Sequence, residues 1–415
     1  MRNTGWVPSV LPEGEPAPAD GALPPSALAT LGRRPFGVYV HVPFCATRCG
    51  YCDFNTYTAG ELGTSASPVS WLDGVRRELD LAARVLGSPP RAQTVFVGGG
   101  TPSLLGSSGL GAVLDAVRAT FGLADDAEVT TESNPESTSA EFFAGIREAG
   151  YTRVSLGMQS AAPHVLAVLD RTHTPGRPVA AAREARTAGF EHVNLDLIYG
   201  TPGERAEDLA ASLDSVLAAG VDHVSAYALI VEEGTALARR ITRGELPAPD
   251  DEVLADRYEQ VDAALTASGL HWYEVSNWAS GPDAWCRHNL GYWHGCDWWG
   301  AGPGAHSHVG GVRWWNVKHP ARYADLLAGG RSPAAGREVL STRDREVERI
   351  MLELRLSDGL SIDYLSGPAQ AEARAAADEG LLDPAAIAGV NGEHGRCVLT
   401  PRGRLLADAV IRRLV

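Results

Sequence analysis

The chain has 415 residues, 44% of them hydrophobic and 21% charged, a composition typical of a globular protein too long for one small domain. Its 36 basic and 51 acidic residues give a net charge of −15, which argues against binding nucleic acid through a general phosphate-attracting field. No run approaches about 18 consecutive apolar residues, so the sequence predicts no membrane-spanning segment.

The first element, residues 1–35, is rich in Pro and Ala and has no apolar signal core. We interpret it as a flexible leader or as an arm draped over the body of the protein. With no export signal, we expect the protein in the cytoplasm, where cysteines serve metals or chemistry and not disulfides.

Six apolar or alternating segments follow, separated by stretches long enough for a crossover helix such as residues 69–86. They cover residues 38–44, 94–100, 128–134, 153–159, 192–198 and 223–230. Strands that alternate with helices predict βαβ units and a parallel sheet. Six units predict an α/β fold with an incomplete (β/α)6 TIM-like barrel over residues 36–265, with the functional groups at the ends of the strands.

Two further regions follow the predicted barrel. Residues 266–335 hold eight of the ten tryptophans and six of the twelve histidines. In residues 336–415, the order of helix, helix, short strand, "LTPRGR" turn and last helix predicts a small winged-helix-like domain. Because the chain is acidic, we favour packing or partner contact over DNA binding for this domain.

Three cysteines, Cys45, Cys49 and Cys52, lie in one loop after the first strand with the spacing C-x3-C-x2-C. Structural zinc usually takes four ligands, and an iron–sulfur cluster is usually held by four cysteines, but the next cysteine, Cys286, lies in the distant aromatic region. Three cysteines would hold three irons of a [4Fe–4S] cube and leave the fourth iron open to a small molecule. We favour the cluster, with zinc as the alternative.

A glycine-rich segment, "GGGTPS" at residues 98–103, directly follows the second predicted strand. Glycines at this place let backbone N–H groups approach a charged ligand closely. A tight turn would give the same pattern.

Together these two motifs resemble the radical S-adenosylmethionine (SAM) family, a resemblance that implies a partial barrel and a cluster whose open iron chelates SAM. From about residue 36, the chain resembles the branch that contains anaerobic coproporphyrinogen III dehydrogenase and the HemW-type haem chaperones. The resemblance implies SAM contacts at strand ends, namely Tyr39, Gly100, Thr101, Glu132, Gln159, Arg171 and Asp196, with Ala228 as a further candidate. Glu132 can accept from an ammonium group, Arg171 can fork onto a carboxylate, and Asp196 can accept from ribose hydroxyls.

Two features separate the members of this branch. The dehydrogenase loop carries one more cysteine, at the place where this chain has Phe54. The segment "HNLGYW", His288 to Trp293, fits the H-N-x-x-Y-W motif of the haem-chaperone group. Imidazole is a common axial ligand of haem iron, so we expect His288 to ligate or dock haem. The alternative is a hydrogen-bonded histidine in an aromatic cluster, and the neighbouring ligand candidates are His294, His306, His308, Cys286 and Cys296.

The leading hypothesis is a haem chaperone that binds haem b and transfers it to acceptor proteins, respiratory enzymes among them, and that carries a [4Fe–4S] cluster with SAM on its open iron. Such a protein is a binding and transfer module, and we expect it to lack coproporphyrinogen dehydrogenase activity. The alternatives are an oxygen-independent coproporphyrinogen III dehydrogenase and a radical enzyme that acts on another substrate.

Overall fold

The computed structural model describes residues 14–64, 66–389 and 394–415. Its strands, in chain order, are β1 Phe36–Val42, β2 Phe44–Cys45, β3 Tyr57–Thr58, β4 Ala92–Gly99, β5 Leu123–Ser133, β6 Arg153–Gln159, β7 His192–Tyr199, β8 His223–Ala228, β9 His271–Glu274, β10 Asn277–Ala279, β11 Asp297–Ala301, β12 His306–Val309, β13 Val312–Asn316, β14 Ala334–Val339, β15 Leu360–Ser361 and β16 Arg396–Cys397.

The α-helices are α1 Pro25–Leu28, α2 Ala59–Leu62, α3 Pro68–Leu86, α4 Gly106–Phe121, α5 Ala140–Ala149, α6 Pro163–Val168, α7 Arg177–Thr187, α8 Ala206–Ala219, α9 Ala236–Thr242, α10 Asp251–Ala267, α11 Arg287–Trp293, α12 Pro320–Ala328, α13 Thr342–Glu353, α14 Gly367–Asp378, α15 Pro384–Ala388, α16 Pro401–Leu405 and α17 Ala407–Leu414. Among the residues the structure describes, no helix is both long and apolar enough to cross a bilayer.

The central sheet has the strand order β14-β13-β12-β11-β1-β4-β5-β6-β7-β8-β10-β9. Strands β1, β4, β5, β6, β7 and β8 correspond to the six predicted segments, and each is parallel to its neighbour. Such strands are buried on both faces, which explains the nearly continuous apolar run of β1. Because β14 and β9 form the two edges of the sheet, the barrel is incomplete, as predicted.

The aromatic region extends both edges of the barrel sheet. Strands β10 and β9 add antiparallel to β8, whereas β11 adds parallel to β1 and is followed by antiparallel β12, β13 and β14. Between these strands, α11 packs inside the barrel against β1 and β4. Glu128 on β5 accepts the N–H groups of Arg287 and His288 at 3.0 Å each, and Arg153 on β6 donates to Ala284 O at 2.8 Å. Residues 266–335 are therefore part of the barrel's own sheet and floor.

Two polar side chains, the buried Glu78 and the half-buried Asn55, hold the added strands to the barrel. Glu78 on α3 accepts from Gly302 N at 2.8 Å and from Asn316 Nδ2 at 2.7 Å. Burial raises the pKa of Glu78 to about 7, against the effect of these donors. Asn55, in the loop that carries the cysteines, donates through Nδ2 to Pro303 O at 3.0 Å and to Lys318 O at 2.8 Å.

The described part of the N-terminal region, residues 14–35, contacts the body of the protein, and residues 1–13 lie outside the described residues. Glu15 forms an ion pair with Arg337 at 2.7 Å, and Ala19 O accepts from Ser332 N at 2.7 Å. Ala27, in α1, is fully buried in the main core. Burial of apolar surface and paired backbone groups fix the arm in place.

The C-terminal helices α13, α14 and α17 surround a hydrophobic core of their own. Strands β15 and β16 pair antiparallel beside them. The partial barrel is thus followed by a small C-terminal domain.

Candidate functional site

A cavity of about 690 Å³ opens inside the barrel at the carboxyl ends of the parallel strands. Its wall includes the cysteine loop, the glycine loop after β4 and the inward-facing side chains of β5 to β8, and α11 forms its floor. The volume is that of a small-molecule site. Every sequence-predicted site residue lines this cavity: Tyr39, Cys45, Cys49, Cys52, Gly100, Thr101, Glu132, Gln159, Arg171, Asp196, Ala228 and His288.

The three cysteines are free thiols on one side of the cavity. Thr101 Oγ1 lies 3.7 Å from Cys45 Sγ, and Arg171 Nη1 lies 3.5 Å from Cys49 Sγ. Both groups are donors, and a donor stabilises a thiolate. Burial raises the pKa of the Cys45 thiol, and it raises that of Cys52 to about 11. A metal bound by these thiols would have to displace their protons.

The glycine loop holds the cysteine loop in place. Gly100 N donates to Val42 O at 2.8 Å, and Thr101 N donates to Phe44 O at 2.7 Å. A Cβ added at Gly100 would lie 2.5 Å from Phe44 O and 3.0 Å from Cys45 Sγ. In this structure the protein's own carbonyl groups accept these two N–H groups, and the SAM contacts at Gly100 and Thr101 stay a prediction. The glycine is needed for close approach between the two loops.

Two acidic side chains, Glu132 and Asp196, face each other inside the barrel. Glu132 Oε2 accepts from Gly99 N at 2.9 Å, and Asp196 accepts from Asn194 Nδ2 at 2.6 Å and from the Ser155 hydroxyl. Burial, and then the charge of Asp196, raise the pKa of Glu132 to about 7. Burial also raises the pKa of Asp196. A cationic ligand between them would relieve this repulsion.

Arg171 spans from the cysteine loop to β6. Besides its contact with Cys49, it donates through Nη2 to Gly157 O at 3.1 Å and through Nε to His173 Nε2 at 3.0 Å. A guanidinium has five N–H donors, so these three contacts leave one on each terminal nitrogen. The predicted fork onto a carboxylate can use those two donors.

Two more predicted residues, Gln159 and Tyr39, lie on strands β6 and β1. Gln159, at the end of β6, has a φ of 68°, and a register shift between β6 and β7 accompanies it. Such a bulge redirects a side chain at a strand end. Tyr39 Oη lies 3.0 Å from His41 Nδ1, and burial strongly raises the pKa of Tyr39.

His288 lies on the cavity floor and is 3% exposed. Its Nδ1 is 2.8 Å from Thr94 Oγ1, its Nε2 is 2.8 Å from Tyr292 Oη, and its ring stacks on Phe96 at 5.2 Å. Burial lowers its pKa to about 3, so the ring is neutral. In this arrangement both ring nitrogens are engaged and His288 offers no free lone pair to iron. Its role as a haem ligand stays a prediction that requires Tyr292 or Thr94 to move away.

The chain matches the radical SAM superfamily over residues 39–216. It is 61% identical to the heme chaperone HemW of Mycobacterium tuberculosis over 389 residues, which cover 94% of this chain and 97% of the relative. It is 32% identical to HemW of Bacillus subtilis, with 90% and 97% covered. The solved structure of coproporphyrinogen III oxidase (HemN) from Escherichia coli matches 95% of this chain and 94% of its own, with a TM-score of 0.77 and 22% identity, and this likeness shows the fold alone.

The chain belongs to the radical SAM superfamily, among the HemW proteins.

The three cysteine thiols lie around one wall of the cavity. Among residues 14–64, 66–389 and 394–415, no group of three His, Cys, Asp or Glu side chains is placed to hold a single metal ion. A cube spreads its cysteines over separate irons, so three thiols around one cavity wall suit the radical SAM cofactor.

Of the other candidates in this HemW-type chain, Cys286 also lines the cavity floor. It is buried beside Glu128, with 3.8 Å between Sγ and Oε1, and burial raises its pKa. His308 Nδ1 donates to a fixed partner, Cys296 O, at 2.9 Å. His294 and His306 are exposed and lie outside the cavity lining. Of the five further candidates for haem ligands, the structure therefore places only Cys286 in the cavity with His288.

Sequence reasoning missed part of the cavity wall of this radical SAM protein. Arg153, Asn194, Tyr227 and Asn289 line it as well. Arg153 and Asn194 carry a usable signal, since each is a strongly polar residue next to apolar residues of a predicted barrel strand. Tyr227 carries none, because an aromatic residue is ordinary in a strand.

Proposed function

We propose that this protein is a haem chaperone, which binds haem b and hands it to acceptor proteins. The observation that carries the proposal is the 61% identity, over nearly the whole of both chains, to a relative named heme chaperone. Phe54 supports it, because this residue stands where the related dehydrogenase has a further cysteine. We place the protein in the cytoplasm, with respiratory enzymes as one class of acceptor.

Within this proposal, Cys45, Cys49 and Cys52 hold a [4Fe–4S] cluster. The bound cluster would supply an iron with an open coordination position, on which SAM is chelated. Glu132 and Asp196 then balance the positive charge of SAM, and the two unused N–H donors of Arg171 orient its carboxylate. These residues line the inside of the barrel, where a lower local dielectric strengthens such contacts.

The test is an anaerobic haem titration of the cluster-reconstituted protein, followed through the Soret band. A saturable change supports the proposal, and the absence of saturable binding contradicts it. Formation of decarboxylated product from coproporphyrinogen III would instead establish the dehydrogenase.

A matched pair of variants tests His288 in the same titration. His288→Ala removes the buried ring, whereas His294→Ala removes an exposed ring just beyond the same helix. Weaker haem binding in the first variant alone, with unchanged cluster content, supports His288 as the haem contact. If His288→Ala and His294→Ala both bind haem as tightly as the wild type does, the haem lies elsewhere on the chain.

A further inference from the structure

Three large apolar side chains at the mouth of the cavity are exposed. Phe54 is 58% exposed, Tyr227 is 42% exposed and Ile230 is 64% exposed, and all three line the cavity. The barrel core does not use them, and neither do the proposed cluster and SAM contacts. An exposed apolar patch beside a ligand cavity commonly marks a binding surface.

The two loops that carry Phe54 and Ile230 are fixed to each other. Leu237 N donates to Gly50 O at 2.8 Å, which joins the chain after β8 to the cysteine loop. Tyr51 packs against a small core that contains Leu229 and Leu237. The apolar side chains are thus presented by anchored backbone, and a ligand that covers them meets a preformed surface.

We propose that Phe54, Tyr227 and Ile230 form an apolar rim that docks the macrocycle of haem at the cavity mouth. This inference rests on the proposed function and states where on the protein the haem binds. Haem is flat and largely apolar, so its face can cover exposed aromatic and aliphatic side chains. The rim is also accessible as it stands, whereas His288 is covered on the floor with both ring nitrogens engaged.

Charge beside the rim sets the orientation of the haem. Glu232 and Asp53 both line the cavity mouth. Burial, and then the charge of Asp53, raise the pKa of Glu232. Two carboxylates at one side of the mouth repel the propionates of haem. The propionates therefore point away from Asp53 and Glu232, and the apolar edge of the macrocycle lies toward them.

The experiment compares haem affinities of cluster-reconstituted variants under anaerobic conditions. Phe54→Ser and Ile230→Ser should each weaken haem binding about tenfold, because each removes a large apolar contact. Val69→Ser is the matched control, since Val69 is 72% exposed on α3 outside the cavity, and it should bind haem as the wild type does. Glu232→Gln should strengthen binding about two- to fivefold, an effect opposite in sign that loss of folding cannot produce.

Iron content and SAM affinity, measured on the same samples, show that the variants keep the cluster. If the wild type binds haem saturably and the two Ser variants bind it equally well, the rim is overturned while the chaperone proposal stands. If the wild type shows no saturable binding, the proposed function itself fails. If Val69→Ser weakens haem binding as much as Phe54→Ser and Ile230→Ser do, the rim is also overturned, because the loss would then not depend on the place of the residue.

Discussion

The Nε–H of Arg171 donates to His173 Nε2 across 3.0 Å, and this contact fixes the tautomer of the histidine. Because a guanidinium can only donate, His173 Nε2 must accept, and the ring proton lies on Nδ1. Burial, and then the charge of Arg171, lower the pKa of His173 to about 4, so the ring is neutral at pH 7. Its Nδ1 faces Glu136 Oε1 at 3.8 Å. A chain of contacts thus runs from Glu136 through His173 and Arg171 to Cys49.

His173→Leu removes the acceptor for Arg171 Nε and leaves a buried charged donor unpaired. The loss of such a contact costs about 1.5–3 kcal/mol, so SAM affinity should fall about tenfold or more. Isothermal titration of SAM into the reconstituted protein measures the change. His173→Gln keeps an acceptor oxygen and should recover most of the affinity. Wild-type affinity in His173→Leu would show that this contact does not orient Arg171.

Cys49→Ala should abolish the cluster, because one of the three iron ligands is lost. Iron analysis and the absorption and electron paramagnetic resonance spectra of the anaerobically reconstituted protein measure this. Cys296→Ala, at a half-buried thiol outside the cavity, is the control and should keep full iron content. An intact cluster in Cys49→Ala would rule out the assignment.

Gly100→Ala should displace the cysteine loop, since the added methyl group would lie 2.5 Å from Phe44 O. Crowding of this kind costs about 1–3 kcal/mol. We expect a lower urea midpoint and a lower iron content after reconstitution. In Gly60→Ala, at a glycine of the nearby α2, the nearest atom to the added methyl lies 4.0 Å away. That variant should behave as the wild type, and equal iron content in both variants would contradict the close-approach role of Gly100.

SAM affinity should rise with pH up to about 7 and then level off, because Glu132 has a raised pKa of about 7. Below that pH the free protein holds a proton on Glu132, and a cationic ligand must expel it. Affinity should therefore fall as pH decreases, by up to about tenfold per pH unit. Titrations at pH 6 in buffers of different ionisation enthalpy would show the proton release. In Glu132→Gln the pH dependence should vanish; if it persists, another group titrates.

The barrel strands were predictable because each is an apolar or alternating run of strand length, and a stretch long enough for a crossover helix separates it from the next. The prediction of β6 at residues 153–159 coincides with Arg153–Gln159. Placing the predicted SAM residues in one cavity followed from the same rule, since parallel strand ends meet at one edge.

Pairings between distant segments could not be predicted from local pattern. That β11 lies parallel to β1 depends on contacts between residues more than two hundred positions apart, such as Tyr39 with Gly300. That β10 adds to β8 at the opposite edge depends on pairs about fifty positions apart, such as Ser225 with Asn277. The partners of individual polar atoms were equally hidden. Nothing local to "HNLGYW" shows that Thr94, on a strand far away in sequence, occupies one nitrogen of His288.

The side chain of Asn55 joins the cysteine loop to two carbonyl groups of the added strands, Pro303 O and Lys318 O. The loop that carries the three cysteines, the proposed cluster ligands, is consequently tied to the segment that contains residues 303 and 318. Loss of iron and loosening of residues 303–318 should occur together, so the rate at which a protease cuts that stretch reports how much of a sample is loaded with metal.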